Sequence, residues 1–158
     1  YNALPNELKN AIIDTIVVSG HGSEDTENFT STDKLYLLST AEVWADAVSS
    51  SNSINEINSN TTIFSLPSPE VGGDVIISLN HDSARSVTRQ LDYYKNLGTT
   101  SNNFSGAIKK NGTSASTWWL RSAFSNSSDS FYIVSYTGNC FSGNADTTYG
   151  VSPAFRLE

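Results

Sequence analysis

Cysteine is almost absent from the 158-residue chain, in which it occurs once, at Cys140. A single thiol excludes an internal disulfide and a zinc site built on cysteines. Cys140 lies in "YTGNCFSG", a segment that predicts a strand with apolar neighbours. We therefore expect a buried thiol that behaves as a small apolar side chain rather than as a reactive group.

Positive charge is also scarce, because nine Lys and Arg residues stand against 16 Asp and Glu residues and the net charge is −7. Such a surface repels a polyanion over most of its area, so we expect no nucleic-acid partner. The local exceptions are Lys109 with Lys110, and Arg85 with Arg89. Both pairs are interpreted as ordinary solvated surface.

Long apolar runs are missing as well. No stretch of about 20 apolar residues occurs, so we expect no membrane insertion. No secretory leader is recognisable, and the opening "YNALPNELKNAI" is typical of the interior of a domain. The length suits one domain. We expect a single domain over 1–158 that lacks its native N-terminal portion.

The sequence contains no pattern typical of a catalytic or metal site. His21 and His81 lack the spacing of metal ligands, and the consecutive residues 81–83, His-Asp-Ser, cannot converge on one point as a hydrolase triad does. Loop carboxylates could bind calcium only if the fold brought them together, and we interpret them as solvated acids. These carboxylates are Glu24, Asp25, Glu27, Glu70 and Asp74. We therefore expect no enzymatic activity, no metal and no cofactor.

Three segments have helical patterns. The first follows Pro5, which suits an initial helical turn. The second has the spacing of a capping box between Ser39 and Glu42 and is expected to continue to about Ala47. The third and longest spans 82–98 and ends at a glycine.

Short strands are predicted for most of the remaining chain. They are "IIDTIVVS", "KLYLLS" and, from residue 117 onward, "TWWLRS", "SFYIVSYTG", "NCFSG" and "GVSPAFRLE". A hairpin turn is predicted around Gly138. The polar segments 20–33 and 49–62 predict loops. The sequence thus predicts an α+β fold of two or three helices with a mostly antiparallel sheet.

The stretch "TWWLRSAF" places two of the three tryptophans side by side. Neighbouring side chains of an extended strand point to opposite faces. Trp118 and Trp119 would therefore belong to two different surfaces, and Arg121 would share the face of Trp119. We expect one indole in the core and the other on a second, functional or covered, face.

Residues 125–149 interleave Asn, Ser, Asp, Thr and Tyr with a few apolar residues. Binding surfaces of the antibody type use this composition, because Tyr gives contact area at small entropic cost while Ser and Asn give adaptable hydrogen bonding. Ordinary polar turns of a β protein are the alternative interpretation.

The segment "WWLRS", followed downstream by "YGVSPAFRL", resembles a bacterial and phage family of C-type-lectin-like domains with a W-W-L-R-S … G-V-x-P-A signature. "TDKLYLLSTAEV" and "LPNELKNAI" resemble further segments of that family in the same order. The sequence departs from the family pattern at Ala123 and Phe124, where Pro-Gly is common, and at Ser152, where Arg is common.

The resemblance implies a C-type-lectin-like fold and a recognition role, as an adhesin or receptor-binding module on a bacterial cell surface or phage particle. Some relatives resemble variable proteins of diversity-generating retroelements, whose segment equivalent to 125–149 is diversified. Aligned on the motif, Tyr132 and Val134 would face inward. The outward, ligand-binding candidates are Asn126, Ser128, Asp129, Ile133, Ser135, Tyr136, Asn139, Phe141, Asn144, Asp146 and Thr147. Tyr136 and Phe141 would be the aromatic anchors.

The same alignment gives Arg121 a structural role, against an aromatic ring or on loop carbonyl groups. The expected partner is a protein or glycan on a cell surface, and the sequence does not determine the oligomeric state. The alternative is a spacer domain of a larger surface or phage protein, without its own ligand. Formylglycine-generating oxidases are similar in fold, but they use a pair of cysteines that Cys140 alone cannot supply.

Overall fold

A computed structural model describes residues 1–45, 63–68, 73–100 and 103–158. Within these ranges the chain has three short α-helices beside several small antiparallel sheets, so the predicted α+β class is confirmed. The helices are α1 (Asn6–Ala11), α2 (Thr40–Val43) and α3 (Asp92–Asn96), with 3-10 turns at Leu79–His81, Arg85–Val87 and Ser105–Ala107. Among the residues described, no helix combines the length and apolar character needed to cross a bilayer.

Thirteen strands occur in the described ranges. In chain order they are β1 (Ile12–Ile13), β2 (Thr15–Ser19), β3 (Phe29–Asp33), β4 (Tyr36–Leu37), β5 (Ile63–Ser68), β6 (Gly73–Ser78), β7 (Lys109–Asn111), β8 (Ser114–Ser116), β9 (Trp118–Ala123), β10 (Ser130–Val134), β11 (Cys140–Asn144), β12 (Pro153–Ala154) and β13 (Arg156–Leu157). The pairs β2–β3, β5–β6 and β7–β8 join strands that are neighbours in sequence.

Strands from the first and last parts of the chain pair with each other. In β1–β13, Ile12 lies opposite Leu157, and in β4–β12, Tyr36 lies opposite Ala154. A parallel bridge also joins Trp118 to Gly150. The last residues of the chain are therefore built into the same fold as the first.

The central sheet has the antiparallel order β11–β10–β9. Along β9, Trp118, Leu120 and Ser122 are buried, whereas Trp119 and Arg121 are half-buried. This alternation confirms the prediction that the two tryptophans point to opposite faces. We call the face that carries Trp118 the core face and the face that carries Trp119 the outer face.

The core face packs into one cluster of buried residues, dominated by large apolar side chains. Its members are Leu38, Val43, Trp44, Leu79, Tyr94, Ala107, Trp118, Leu120, Tyr132, Val134 and Cys140. The Trp118 indole N–H donates to the backbone carbonyl of Ala107 at 3.2 Å, so its one polar group is satisfied. The inward positions predicted for Tyr132 and Val134 are confirmed, and each is 0 % exposed.

The capping box at the start of α2 is present. The Ser39 hydroxyl accepts from the Glu42 backbone N–H, and the Glu42 carboxylate accepts from the Ser39 N–H. Each contact satisfies a backbone donor that the helix leaves open at its N-terminus. The helix ends earlier than expected, since Trp44 is already extended. The Trp44 indole belongs to the core, and residues 46 and 47 lie outside the described ranges.

The single helix predicted over 82–98 is wrong. The chain instead forms a 3-10 turn, an extended link and the short helix α3, which is followed by Gly98 at a φ of +65°. Long-range hydrogen bonds hold the link extended: Gln90 Nε2 donates to the Val43 carbonyl, and Leu91 N–H donates to the Glu42 carbonyl at 3.0 Å. These partners outweigh the local helical preference, which is a weak determinant of structure.

The polar segment 20–33 was expected to be a loop, and this expectation is wrong for its last residues. These residues form β3, which pairs with β2 so that Phe29 lies opposite Ser19. Phe and Thr favour strands, and β2 supplies a partner in register. The loop predicted over 49–62 lies outside the described ranges.

A buried carboxylate connects α2, β9 and the turn before residue 85. Asp82 is 3 % exposed and accepts from the hydroxyls of Thr40 and Ser122, at 2.6 and 2.5 Å. It also accepts from the Ala84 backbone N–H. Since buried polar groups require such partners, this network fixes how α2 sits on the central sheet.

Candidate functional site

Three aromatic rings form a strip on the outer face of the central sheet. The Trp119 ring makes an edge contact with Phe131 at 6.5 Å and with Tyr149 at 5.0 Å between centroids. We call Trp119, Phe131 and Tyr149 the aromatic strip. Phe131 is 39 % exposed, so the strip presents apolar surface to solvent. Edge-to-face pairs of this kind add to the stabilisation from burial and hold the rings in place.

A glycine in β11 makes room for the strip. A Cβ at Gly143 would lie 2.9 Å from Tyr149 Cε2 and 3.3 Å from the Trp119 ring. Both distances are shorter than a normal van der Waals contact, so a side chain here would push the rings away from the strand. The absence of a side chain at Gly143 therefore determines how closely Tyr149 covers the sheet.

Two polar loops meet at one end of the sheet. The Ala145 N–H donates to the Asp129 carbonyl oxygen at 2.8 Å, which joins the loop before β10 to the loop after β11. The Asp129 carboxylate also accepts from the hydroxyls of Ser127 and Ser130, at 2.7 and 3.0 Å. These hydrogen bonds, that of Ser127 first, lower the pKa of Asp129 below its ordinary value.

A groove of about 540 Å³ continues the strip toward the β7–β8 hairpin. We call it the tyrosine groove, because Tyr136 and Tyr149 both line it. Hydroxyl and amide side chains supply most of its remaining wall, namely Asn111, Ser116, Thr117 and Thr148. Aromatic rings next to adaptable hydrogen-bonding groups are typical of recognition surfaces.

The sequence pattern of one protein family, described as "Domain of unknown function (DUF6273)", matches residues 1–158. The chain belongs to this family. No curated protein matches the chain, and no solved structure matches it.

Most of the predicted contact residues are exposed in the DUF6273 domain. The exposed ones are Asn126, Ser128, Asp129, Tyr136, Asn144, Asp146 and Thr147. Except for Tyr136, they lie in the two polar loops at one end of the sheet or, for Asn144, at the adjoining end of β11, whereas Tyr136 lines the tyrosine groove near the other end. Their role in binding stays a prediction.

The exposure predicted for Ile133 is wrong. This side chain lies on the outer face, opposite Trp119 in β9 and Phe141 in β11, and it is only 5 % exposed because these neighbours cover it. Phe141 is half-buried and packs against the core cluster, so it is less exposed than expected, and its role as an anchor stays a prediction.

The exposure predicted for Ser135 and Asn139 is wrong as well, because both close the β10–β11 turn. The Ser135 N–H donates to the Asn139 carbonyl at 2.8 Å, and the Gly138 N–H donates to the Ser135 carbonyl at 2.9 Å. Gly138 has a φ of +90°, which confirms the predicted turn. A Cβ there would overlap the Phe104 carbonyl oxygen, so the turn rests directly on the neighbouring backbone.

The aromatic strip itself was missing from the predicted contact set. The alternation of side chains along a strand could have identified Phe131 and Trp119. Phe131 shares a face with Ile133, and Trp119 lies on the face opposite to that of its buried neighbour Trp118. No such pattern identifies Tyr149, which lies in the loop beyond Asn144, the last residue of β11. Its position depends on the space above Gly143, which only the folded chain reveals.

Arg121 has the structural role that was expected, although the carbonyls that it binds lie in strands β2 and β4 rather than in loops. Its guanidinium donates to the carbonyls of Val18 and Leu37, at 3.0 and 2.8 Å, and forms an ion pair with Glu42. It also lies 5.9 Å from the centroid of the Tyr36 ring. Arg121 thereby joins β2, β4 and α2 to the central sheet.

Cys140 is buried, as predicted, and desolvation by burial raises its pKa well above the ordinary thiol value. Among the residues described, no three His, Cys, Asp or Glu side chains are grouped as a metal-ligand set. The candidate site of the DUF6273 domain is thus a surface of aromatic rings, hydroxyls and amides.

Proposed function

We propose that this domain is a non-enzymatic recognition module whose outer face binds a protein or glycan. The observation that carries the proposal is the aromatic strip, with Phe131 39 % exposed on a sheet whose opposite face contributes to the buried core cluster. A sheet anchored in this way keeps its exposed rings in one arrangement, which lowers the entropic cost of binding. Aromatic side chains also dominate the binding free energy of most interfaces.

The proposal includes a C-type-lectin-like fold and a location outside the cell, on a bacterial surface or a phage particle. The W-W-L-R-S resemblance supports it, and so does the bridge between Trp118 and Gly150, which brings the two halves of the signature together. Diversification within 125–149 fits the exposed loops at 125–129 and 144–148. Function rests on the site rather than on the fold, so the proposed role depends on the residues of the outer face.

A spacer domain without a ligand is the second candidate. The burial of Ile133, Ser135 and Asn139 favours the spacer domain, because buried side chains at these three predicted positions are not accessible to a ligand. The two candidates differ in one respect: a spacer domain tolerates loss of the exposed rings, whereas a recognition module does not.

Two alanine substitutions with matched controls separate the candidates. Phe131→Ala and Tyr136→Ala remove exposed rings from the proposed site. Phe155→Ala and Tyr93→Ala remove a Phe and a Tyr of similar or greater exposure elsewhere on the surface. Wild type and variants are applied to glycan and protein arrays, and thermal unfolding is measured for each protein.

We expect ligands found with the wild-type domain to bind the site variants at least about tenfold more weakly, while the controls bind normally. Unfolding temperatures should stay close to wild type. Absence of any ligand, or equal loss in site and control variants, would overturn the proposal in favour of the spacer domain.

A further inference from the structure

Lys109, interpreted above as solvated surface, is half-buried. Its Nζ lies 4.6 Å from the centroid of the Trp118 ring and donates to the Ser152 hydroxyl at 2.7 Å. The neighbouring Lys110 is exposed and fits the original interpretation. Lys110 lines the same cavity as Lys109, but only the Lys109 ammonium is held in place by a ring and a hydroxyl.

No carboxylate balances this ammonium among the residues described. Lys34 pairs with Asp14 and Arg121 pairs with Glu42, and neither ion pair involves Lys109. Desolvation by burial alone lowers the pKa of Lys109, as expected for a partly buried cation without a counter-charge. An ammonium has three donors, and Ser152 accepts from one of them. Hydrogen-bonding capacity and charge both remain for an incoming anion.

The ammonium borders a cavity of about 330 Å³ that adjoins the tyrosine groove. The two spaces have four wall residues in common, namely Asn111, Ser116, Thr117 and Gly150. The two spaces thus adjoin along a shared wall, and we call them together the channel: Lys109 lines one end, and Tyr136 and Tyr149 line the other. Between them the wall is mostly hydroxyl and amide.

We propose that this channel binds an acidic saccharide, with its anionic group on Lys109 Nζ and its sugar rings along the hydroxyl-lined wall toward the tyrosines. The inference rests on the proposed recognition function and names its ligand class. A saccharide suits the channel better than a peptide, because the wall offers hydroxyl and amide partners for sugar hydroxyls. We expect the saccharide to be anionic because the charge of Lys109 has no balancing acid in the described part of the chain.

The net charge of the whole domain limits where an anionic ligand can bind. With a net charge of −7, the surface as a whole disfavours anions, so attraction is confined to the vicinity of Lys109. We expect the affinity for an acidic saccharide to depend mainly on Lys109, with a smaller, more strongly screened contribution from the exposed Lys110 of the same cavity, and to fall as salt is added.

The test compares three probes by titration calorimetry: lactose, 3′-sialyllactose and lactose 3′-sulfate. The two acidic probes distinguish a carboxylate from a sulfate as the source of the charge. We expect at least one acidic probe to bind about tenfold or more tightly than lactose. In NMR spectra of the 15N-labelled domain, the Lys109 ammonium signal should shift with that probe.

Lys109→Met removes the charge and keeps an unbranched side chain over Trp118. Lys95→Met, at an exposed position in α3, changes the net charge equally. We expect Lys109→Met to abolish the preference for the acidic probe and Lys95→Met to retain it. Since Lys109→Met also removes a desolvated charge, we expect its unfolding temperature to equal or exceed that of wild type. If it unfolds, Lys109→Gln replaces it.

Several outcomes would overturn the acidic-saccharide inference. They are no binding of either acidic probe at millimolar concentration, equal affinity for lactose, or unchanged acidic binding in Lys109→Met. The proposed recognition function is tested separately. If the wild type binds a neutral glycan or a protein and Phe131→Ala abolishes that binding, the recognition function is supported although the acidic-saccharide inference fails. Absence of every ligand rejects both.

Discussion

The two faces of the central sheet differ sharply, although adjacent residues of one dipeptide contribute a tryptophan to each. On the core face, Trp118 is 2 % exposed and packs with Tyr132 and Leu120. On the outer face, Trp119 contacts Phe131 and Tyr149, and the strip remains partly open to solvent. The comparison shows that one strand contributes both to the buried core and to a partly solvent-exposed aromatic surface, since its side chains alternate.

The largest expected effect comes from removing each tryptophan in turn. Trp118→Ala leaves a cavity in the core, and we expect the free energy of unfolding to fall by about 3–5 kcal/mol. Trp119→Ala removes a half-buried ring, and we expect a loss of about 1–2 kcal/mol. Chemical denaturation measures both. Equal losses would show that the outer face is as important to folding as the core, which would weaken its assignment as a display surface.

An intermediate effect is expected when the outer face is crowded. Gly143→Val places a side chain against Tyr149 and Trp119, and we expect a loss of about 1–3 kcal/mol together with displacement of Tyr149. The control is Ser142→Val, an exposed position in the same strand, which favours strand structure and should be near neutral. Denaturation gives the stability, and near-ultraviolet circular dichroism reports the ring environment. An unchanged aromatic signal in Gly143→Val would contradict the close packing.

The smallest effect on stability is expected from lowering the pH, which protonates Asp129 at the polar end of the outer face. The folded-state pKa of Asp129 lies below its ordinary value, so its carboxylate stabilises the fold at pH values above the unfolded pKa. That contribution is lost as pH falls below about 4 and through the folded pKa. We expect Asp129→Asn to be slightly less stable than wild type at pH 7, with the difference vanishing in strong acid. Thermal unfolding across pH checks this, and a difference that grows in acid would refute it.

Local patterns in the sequence were sufficient where neighbouring residues determine structure. The capping box between Ser39 and Glu42, the turn at Gly138 and the alternation from Trp118 to Arg121 all depend on interactions within a few residues. Each is therefore visible in the linear chain.

Features that depend on distant partners were not predictable in this way. The helix predicted over 82–98 is interrupted at Gln90 and Leu91, because these residues donate hydrogen bonds to the carbonyls of residues 42, 43 and 99, which lie outside that segment. Lys109 is half-buried only because Trp118 and Ser152 come together beside it. Tyr149 depends on the missing side chain at Gly143. No window of neighbouring residues contains these contacts.

The β10–β11 hairpin has unequal ends, and this asymmetry limits where the domain tolerates change. Gly138 rests on the backbone at Phe104, so a substitution there would lift the hairpin from its support. At the opposite end, Ser128, Asp146 and Thr147 are exposed, and their replacement need not disturb the packing beneath. An evolving or engineered repertoire built on this scaffold would therefore accept new residues and insertions at its open end and keep its turn constant.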